Sequence, residues 1–139
     1  MGVKKQNAAA ARKEANKSKY FAVLKDCPTS PRKMRLLADL IRGEEVTKAL
    51  NILKFNPKEA SWKLEKLLAS AIANYEAKTG NRPEDSNLII KEIFVDSATQ
   101  LKRLRTAPQG RAHRIRKRSN HVTIVVDSKV EDINNKETK

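Results

Sequence analysis

The sequence predicts an α+β domain in which three helices cover a small antiparallel sheet, with a long extended β-hairpin arm leaving it. Three observations predict this. Apolar residues recur at helical spacing through the middle of the chain, and two aliphatic, β-branched runs follow at 88–95 and 121–126. Between those runs the stretch LKRLRTAPQGRAHRIRKR, residues 101–118, carries eight cations and no carboxylate around a Pro108-Gln109-Gly110 turn.

Each element has its own grammar. Residues 1–19 are rich in Lys, Ala and Asn, the composition of an extension that is disordered or a frayed helix until something negative orders it. A short strand is expected at 20–24. Ser30 then offers an N-cap, Pro31 suits a first helical position and Gly43 a stop, so the first helix is 31–42, with Met34, Leu37, Ala38 and Ile41 on its inner face. A second helix over 44–54 repeats the pattern with Val46, Ala49, Leu50 and Leu53, and Glu44 and Glu45 favour its first turn. Asn56-Pro57 breaks it. The third and longest helix, 57–78, lines up Leu64, Leu67, Leu68, Ala71, Ile72 and Tyr75 and stops near Gly80. NRPEDSN at 81–87 reads as a surface loop. The single domain spans 20–127, with the arm at 97–119 and a polar tail at 128–139 expected to be disordered.

Charge is polarised along this plan. Of the formal +14, the first nineteen residues hold +5, residues 20–100 only +2, residues 101–126 +8, and the remainder −1. A nearly neutral globule with two cationic appendages points to a polyanion, nucleic acid before an anionic membrane or an acidic protein. Along LKRLR the cations occupy odd and even positions, so neither face of the arm can pack on a protein core. About thirteen residues separate Asp96 from the turn, roughly 40 Å at ~3.3 Å per residue, against a radius of gyration of only ~13 Å for a compact hundred-residue core. The arm must reach beyond its own globule.

The inventory leaves no room for an enzyme. The four glycines, Gly2, Gly43, Gly80 and Gly110, form no phosphate-binding loop. His113 lies in the arm and His121 opens a strand, with no carboxylate spaced to partner them, so both are expected to be solvated or to face phosphate. Glu92 and Asp96 are expected in cross-strand ion pairs. Lone Cys27, expected to be half-buried, permits neither an internal disulfide nor a Cys-based metal site and suits a reducing compartment. No metal, cofactor or catalytic group is expected. No apolar stretch approaches the ~18 residues of a membrane span, and no secretory h-region opens the chain. Gln6 stands where a myristoylation signal at Gly2 would need Ser or Thr, and the Asn16-Lys17-Ser18 sequon means nothing without a secretory route.

Arginine forks bridge phosphate oxygens and stack on bases, which accounts for Arg103, Arg105, Arg111, Arg114, Arg116 and Arg118 in the arm. Thr106, Ala107 and Gly110 are small enough for a narrow tip. The competing reading, a solvated or import-type charge run, is weakened because two strands brace this one. Arg32, Lys33 and Arg35 offer a second phosphate contact or ordinary solvated helix charge. Trp62 is expected to pack or anchor at the surface rather than stack on a base, since no aromatic residue interleaves the basic run. A DNA-bending β-arm protein, usually a dimer, is the rival from another class.

The order Pro31-Arg32-Lys33-Met34-Arg35, Ile41-Arg42-Gly43, Ala71-Ile72-Ala73-Asn74, Ile93-Phe94-Val95-Asp96, Leu101-Lys102-Arg103, Gln109-Gly110-Arg111-Ala112 and Lys117-Arg118-Ser119-Asn120-His121-Val122-Thr123 resembles the bacterial ribosomal large-subunit protein twenty-two family, from about Tyr20 to Asp127. The resemblance implies a small α+β domain on the outside of the large subunit, in the cytoplasmic ribosome, bound as a monomer. Its hairpin would thread large-subunit rRNA, help assembly and bring its tip to the nascent-peptide exit tunnel. Neighbouring large-subunit proteins and the nascent peptide become further partners. Lys102, Arg103, Arg105, Arg111, Arg114, Arg116, Lys117 and Arg118 would then hold rRNA, with Arg32, Lys33 and Arg35 as the globule's contact. Thr106, Ala107, Pro108, Gln109, Gly110, Arg111, Ala112 and His113 would face the tunnel. The chain departs from the family at Ser97-Ala98-Thr99, where an acidic-Gly-Pro stretch is usual, and at both ends.

Overall fold

The structure, a computed structural model, describes residues 3–81 and 87–128. In chain order it contains α1 (Val3–Lys17), β1 (Tyr20–Cys27), α2 (Pro31–Ile41), α3 (Val46–Phe55), α4 (Glu59–Thr79), β2 (Leu88–Thr106) and β3 (Ala112–Ser128). The strands form one antiparallel sheet in the order β1-β3-β2. Because side chains alternate across a strand, one face of the sheet takes the rows Tyr20–Val126–Ile90, Ala22–Ile124–Ile93 and Leu24–Val122–Val95. Helices α2, α3 and α4 close over that face. Met34, Leu37, Ala38 and Ile41 of α2, Ala49 and Leu53 of α3, and Leu64, Leu68 and Ala71 of α4 are sealed against it.

The helix signals hold with small shifts. Pro31 does open α2, but the Ser30 side chain makes no capping bond; its carbonyl instead accepts the Lys33 and Met34 N–H groups at 3.0 and 3.1 Å. Helix α2 ends at Ile41, one position before the expected end, with Arg42 as its C-cap residue. Gly43, at φ +77°, turns the chain so that its N–H reaches the Ile90 carbonyl at 3.0 Å, and the Ile90 N–H returns to the Glu44 carbonyl at 3.0 Å. The expected second helix therefore begins late, at Val46, because 43–45 are spent on tying the link to β2. Glu44 still supports α3, pairing with Lys48 at 2.6 Å and, by that hydrogen bond and its charge, holding the lysine above its ordinary pKa. At the far end of α4, Gly80 adopts the left-handed conformation and its N–H caps the Glu76 carbonyl at 2.8 Å.

One expectation is narrowed and two need correction. Of the two states expected for the N-terminal extension, disorder or a frayed helix, residues 3–17 take the helix, one more than the three that cover the sheet, and the Ala8–Ala11 run favours it by intrinsic propensity. Cys27 is fully buried rather than half-buried, with its sulfur 3.5 Å from the Thr29 hydroxyl. Neither Glu92 nor Asp96 makes a cross-strand ion pair; the one cross-strand pair of lysine and carboxylate seen among the described residues joins Lys91 to Asp127. Most of the 81–87 loop and the tail beyond Ser128 lie outside the described residues.

Candidate nucleic-acid interface

The arm is a continuation of the sheet. β2 and β3 do not stop at Val95 and His121 as the aliphatic runs suggested; both run on, unbroken by any loop, into the basic segment and remain paired as far as Thr106 and Ala112. At the root, Ser97 faces Asn120 and the next register pair is Gln100 with Arg118, so β2 carries one extra residue there. That bulge falls on Ala98-Thr99, where the chain departs from the family pattern, and a bulge of this kind bends and twists a ribbon. Asn120 locks the root from beneath. It is completely buried and its Nδ2 donates to the Thr29 carbonyl at 2.6 Å, joining the arm to the β1–α2 link.

Beyond the root the ribbon has no protein on either side, and every residue from Thr99 to Thr106 is exposed. The register sorts the cations. Lys102 lies opposite Arg116, Leu104 opposite Arg114 and Gln100 opposite Arg118 on one face; Leu101 opposite Lys117, Arg103 opposite Ile115 and Arg105 opposite His113 on the other. Both faces are therefore cationic, as the run of alternating positions required. Lys102 and Arg116 put like charges directly across from each other, an arrangement that weakens a free hairpin and is relieved by an anion between them. Leu101, Leu104 and Ile115 are left in water, Leu104 at 73% exposure.

The tip is a tight turn. Gln109 and Gly110 have φ of +61° and +70°, the sign pattern of a type I′ turn, and the Arg111 N–H points at the Pro108 carbonyl at 3.4 Å. One step out, the Ala107 N–H donates to the Arg111 carbonyl at 2.9 Å and closes the loop. Arg111 and His113 flank this turn and are exposed.

The globule's expected contact splits. Arg32 and Lys33 are exposed on α2. Arg35, however, spends its guanidinium on the Val95 carbonyl, with Nε at 3.3 Å and Nη2 at 3.0 Å. Arg42 does the same to the Ile93 carbonyl at 3.3 Å while its Nη1 holds Asp39 at 2.8 Å. In the globule β2 has a neighbouring strand on one side only, so these two arginines cover carbonyls that an edge strand would otherwise leave open. His121 also proves structural: its Nδ1 accepts the Asp26 N–H at 3.0 Å. Asp26 needs that support, since its φ is +51°.

Two basic surfaces take a shape that the sequence reading did not give them. On α1, Lys5, Arg12, Lys13 and Lys17 share one broad side with Glu14 turned away, and Lys13 and Lys17 form a groove with Phe21 and Lys78. Lys78 ties down the end of that helix, its Nζ donating to the Lys17 carbonyl at 3.4 Å and to the Lys19 carbonyl just beyond at 2.7 Å. The second is Trp62, 48% exposed with the Lys66 ammonium 4.8 Å from its ring centroid. Plotting 3–17 as a helix, and noting the i,i+4 spacing of Trp62 and Lys66, would have exposed both.

Comparison with known proteins agrees with this geometry. The profile of the family described as ribosomal protein L22p/L17e matches residues 22–127, which covers all the core elements and the whole arm. The chain is 68% identical over 128 residues to the large ribosomal subunit protein uL22 of Flavobacterium johnsoniae, covering 91% of this chain and 93% of that one. The protein of that name from Porphyromonas gingivalis is 60% identical over 134 residues, 96% of this chain and 100% of its own length. One from Bacteroides fragilis is 60% identical over 129 residues, 93% and 95% of the two chains. With more than two thirds of its length matched, the chain belongs to the ribosomal protein L22p/L17e family.

Proposed function

We propose that this protein is a structural constituent of the large ribosomal subunit in the cytoplasm, binding large-subunit rRNA through its arm and carrying out no chemistry of its own. The observation that carries this reading is a two-stranded ribbon, cationic on both faces, standing on a globule of almost no net charge. Phosphates could be gathered from two sides at once by such an arm, so segments of folded RNA are held together across it. Lys102, Arg114, Arg116 and Arg118 would bind on one side, and Arg103, Arg105 and Lys117 on the other. Arg32 and Lys33 add a contact at the globule. Arg35 contributes mainly by fixing β2.

The tip, residues 106–113, is narrow, lies at the end of the arm farthest from the core, and has Arg111 and His113 beside the turn. We read it as the part that reaches the wall of the exit tunnel and meets the nascent peptide. The protein acts as a monomer there, with neighbouring large-subunit proteins around its globule. Residues 20–127 form the folded unit, residues 1–19 a basic extension whose α1 supplies further phosphate contacts, and residues 128–139 a tail.

Sedimentation of a lysate through a sucrose gradient, with and without ribonuclease, tests the reading. Stoichiometric travel with large subunits, abolished by ribonuclease, is the expected result. Travel with DNA, or as a free dimer, would return the case to a DNA-bending arm.

A further inference from the structure

The sheet has a second face, which α1 meets at Phe21, where Lys13 and Lys17 line a groove, and whose remainder toward β2 is exposed. Between the rows that meet the helices lie Phe21–Val125–Glu92, Val23–Thr123–Phe94 and His121–Asp96, which the pleat turns the opposite way. Phe21, Val23 and Phe94 are 37%, 42% and 50% exposed. Val125 is buried but does not belong to the core cluster, because its cover comes from neighbours on this outer face. Two phenylalanines and two valines side by side on a solvent-facing sheet are a platform, and patches of this kind mark interaction sites.

Charge selects the occupant. Along β2 the outer face reads Glu92, Phe94, Asp96, a carboxylate on each side of the most exposed ring, and Asp26 lies beyond the His121 end. Lys91, which lies on β2 itself, is held by Asp127, and Lys25 is the exposed cation that follows Val23 along β1. In a chain of +14, three carboxylates against Lys25 make the β2 side of this face a local reversal of sign, so RNA phosphate is repelled there while the lysines of α1 and the arm attract it. A second copy of the chain is disfavoured too, since a two-fold pairing of the same patch would set carboxylate against carboxylate. Strand addition at the β2 edge is blocked by Arg35 and Arg42 on its carbonyls.

We infer that this outer face docks a basic segment of a neighbouring large-subunit protein, whose apolar side chain seats on Phe21, Val23 and Phe94 while its Lys or Arg groups pair with Glu92 and Asp96. The inference rests on the ribosomal reading and adds a protein interface on the side of the globule away from α2–α4. Aromatic side chains ringed by complementary charge are the usual make-up of an interface centre.

Carboxyl footprinting of purified large subunits and of the free chain tests it. With carbodiimide and glycine ethyl ester, Glu92 and Asp96 label in the free protein and lose labelling in the subunit. With carbodiimide alone, in intact subunits, they cross-link directly to lysines of one other protein, and Glu92→Gln with Asp96→Asn abolishes those links while the protein still enters subunits. Equal labelling in both states would overturn the proposal, as would a photocrosslinker placed at Phe94 that joins rRNA or a second copy of this chain. Absence of the chain from large subunits would overturn the ribosomal reading itself, and the docking site with it.

Discussion

Arg35 and Arg116 are the same side chain put to different work, and their surroundings say which is which. Arg35 directs two N–H groups at one main-chain carbonyl, so removing it uncovers an acceptor on an edge strand. A charge-assisted hydrogen bond contributes about 1.5–3 kcal/mol, and solvent access at this site brings the expected cost of Arg35→Ala to roughly 1 kcal/mol. Thermal unfolding would register it as a lower midpoint, and Arg35→Lys would restore little because an ammonium lacks the fork. Arg32→Ala, with no partner lost, should leave the midpoint where it was. Arg116 sits opposite Lys102 instead, and Arg116→Gln removes a repulsion. Its stability should hold or rise while RNA binding falls. If all eight cations at 101–118 meet phosphates, the log–log slope of affinity against salt for an rRNA fragment is about −6 to −7, and each neutralised arginine takes away ~0.7–0.9. An overall slope near −1 would refute the arm as the binding element.

At the scale of elements, the arm and the globule divide the molecule's tasks, and deletion can separate them. Removing residues 107–111 shortens the ribbon beyond the Thr106–Ala112 pair and touches nothing in the core. The truncated chain should unfold at the same temperature and enter large subunits at wild-type stoichiometry, while the passage of nascent peptides or of tunnel-binding compounds changes. Failure to enter subunits would show the tip to be an assembly element. The core helices were legible because Met34, Leu37, Ala38 and Ile41, or Leu64, Leu68 and Ala71, can share a face only at helical period. Arm strands were harder to bound, since hydrophobic alternation ends at Val95 while pairing continues to Thr106. Pairing there follows from the turn and the register, which leave no trace in hydropathy. Helix α1 stayed one of two alternatives for a related reason: it buries no stripe, so only the alanine run argued for it. The role of Arg35 depended on where β2 comes to lie against α2, a distance of sixty residues in sequence. No local pattern encodes that.

Across the whole molecule, the residues that seal the core and the cations proposed to meet rRNA form two sets that do not overlap. The core is aliphatic and sealed, with Met34, Leu37, Ile41, Leu64, Leu68 and Ile124 entirely out of water. Cations sit on α1, on the outside of α2 and along the arm, all outside that core. Stability and binding should accordingly fail independently. Replacing Arg103, Arg105, Arg114 and Arg116 together by Gln should leave the thermal midpoint unchanged or slightly higher. Its rRNA salt slope should shrink by ~2.8–3.6, at ~0.7–0.9 for each contact. The converse variant, Leu68→Ala, opens a cavity beneath the sheet and should cost about 2–5 kcal/mol of stability. Below its unfolding temperature, however, it should bind rRNA fragments with the full slope, because the folded fraction carries an intact arm. Denaturant melts and salt titrations on the two variants read the two quantities separately. A core variant that lost slope, or an arm variant that lost several kcal/mol of stability, would mean that the hairpin is part of the folding unit rather than a ribbon projecting from it.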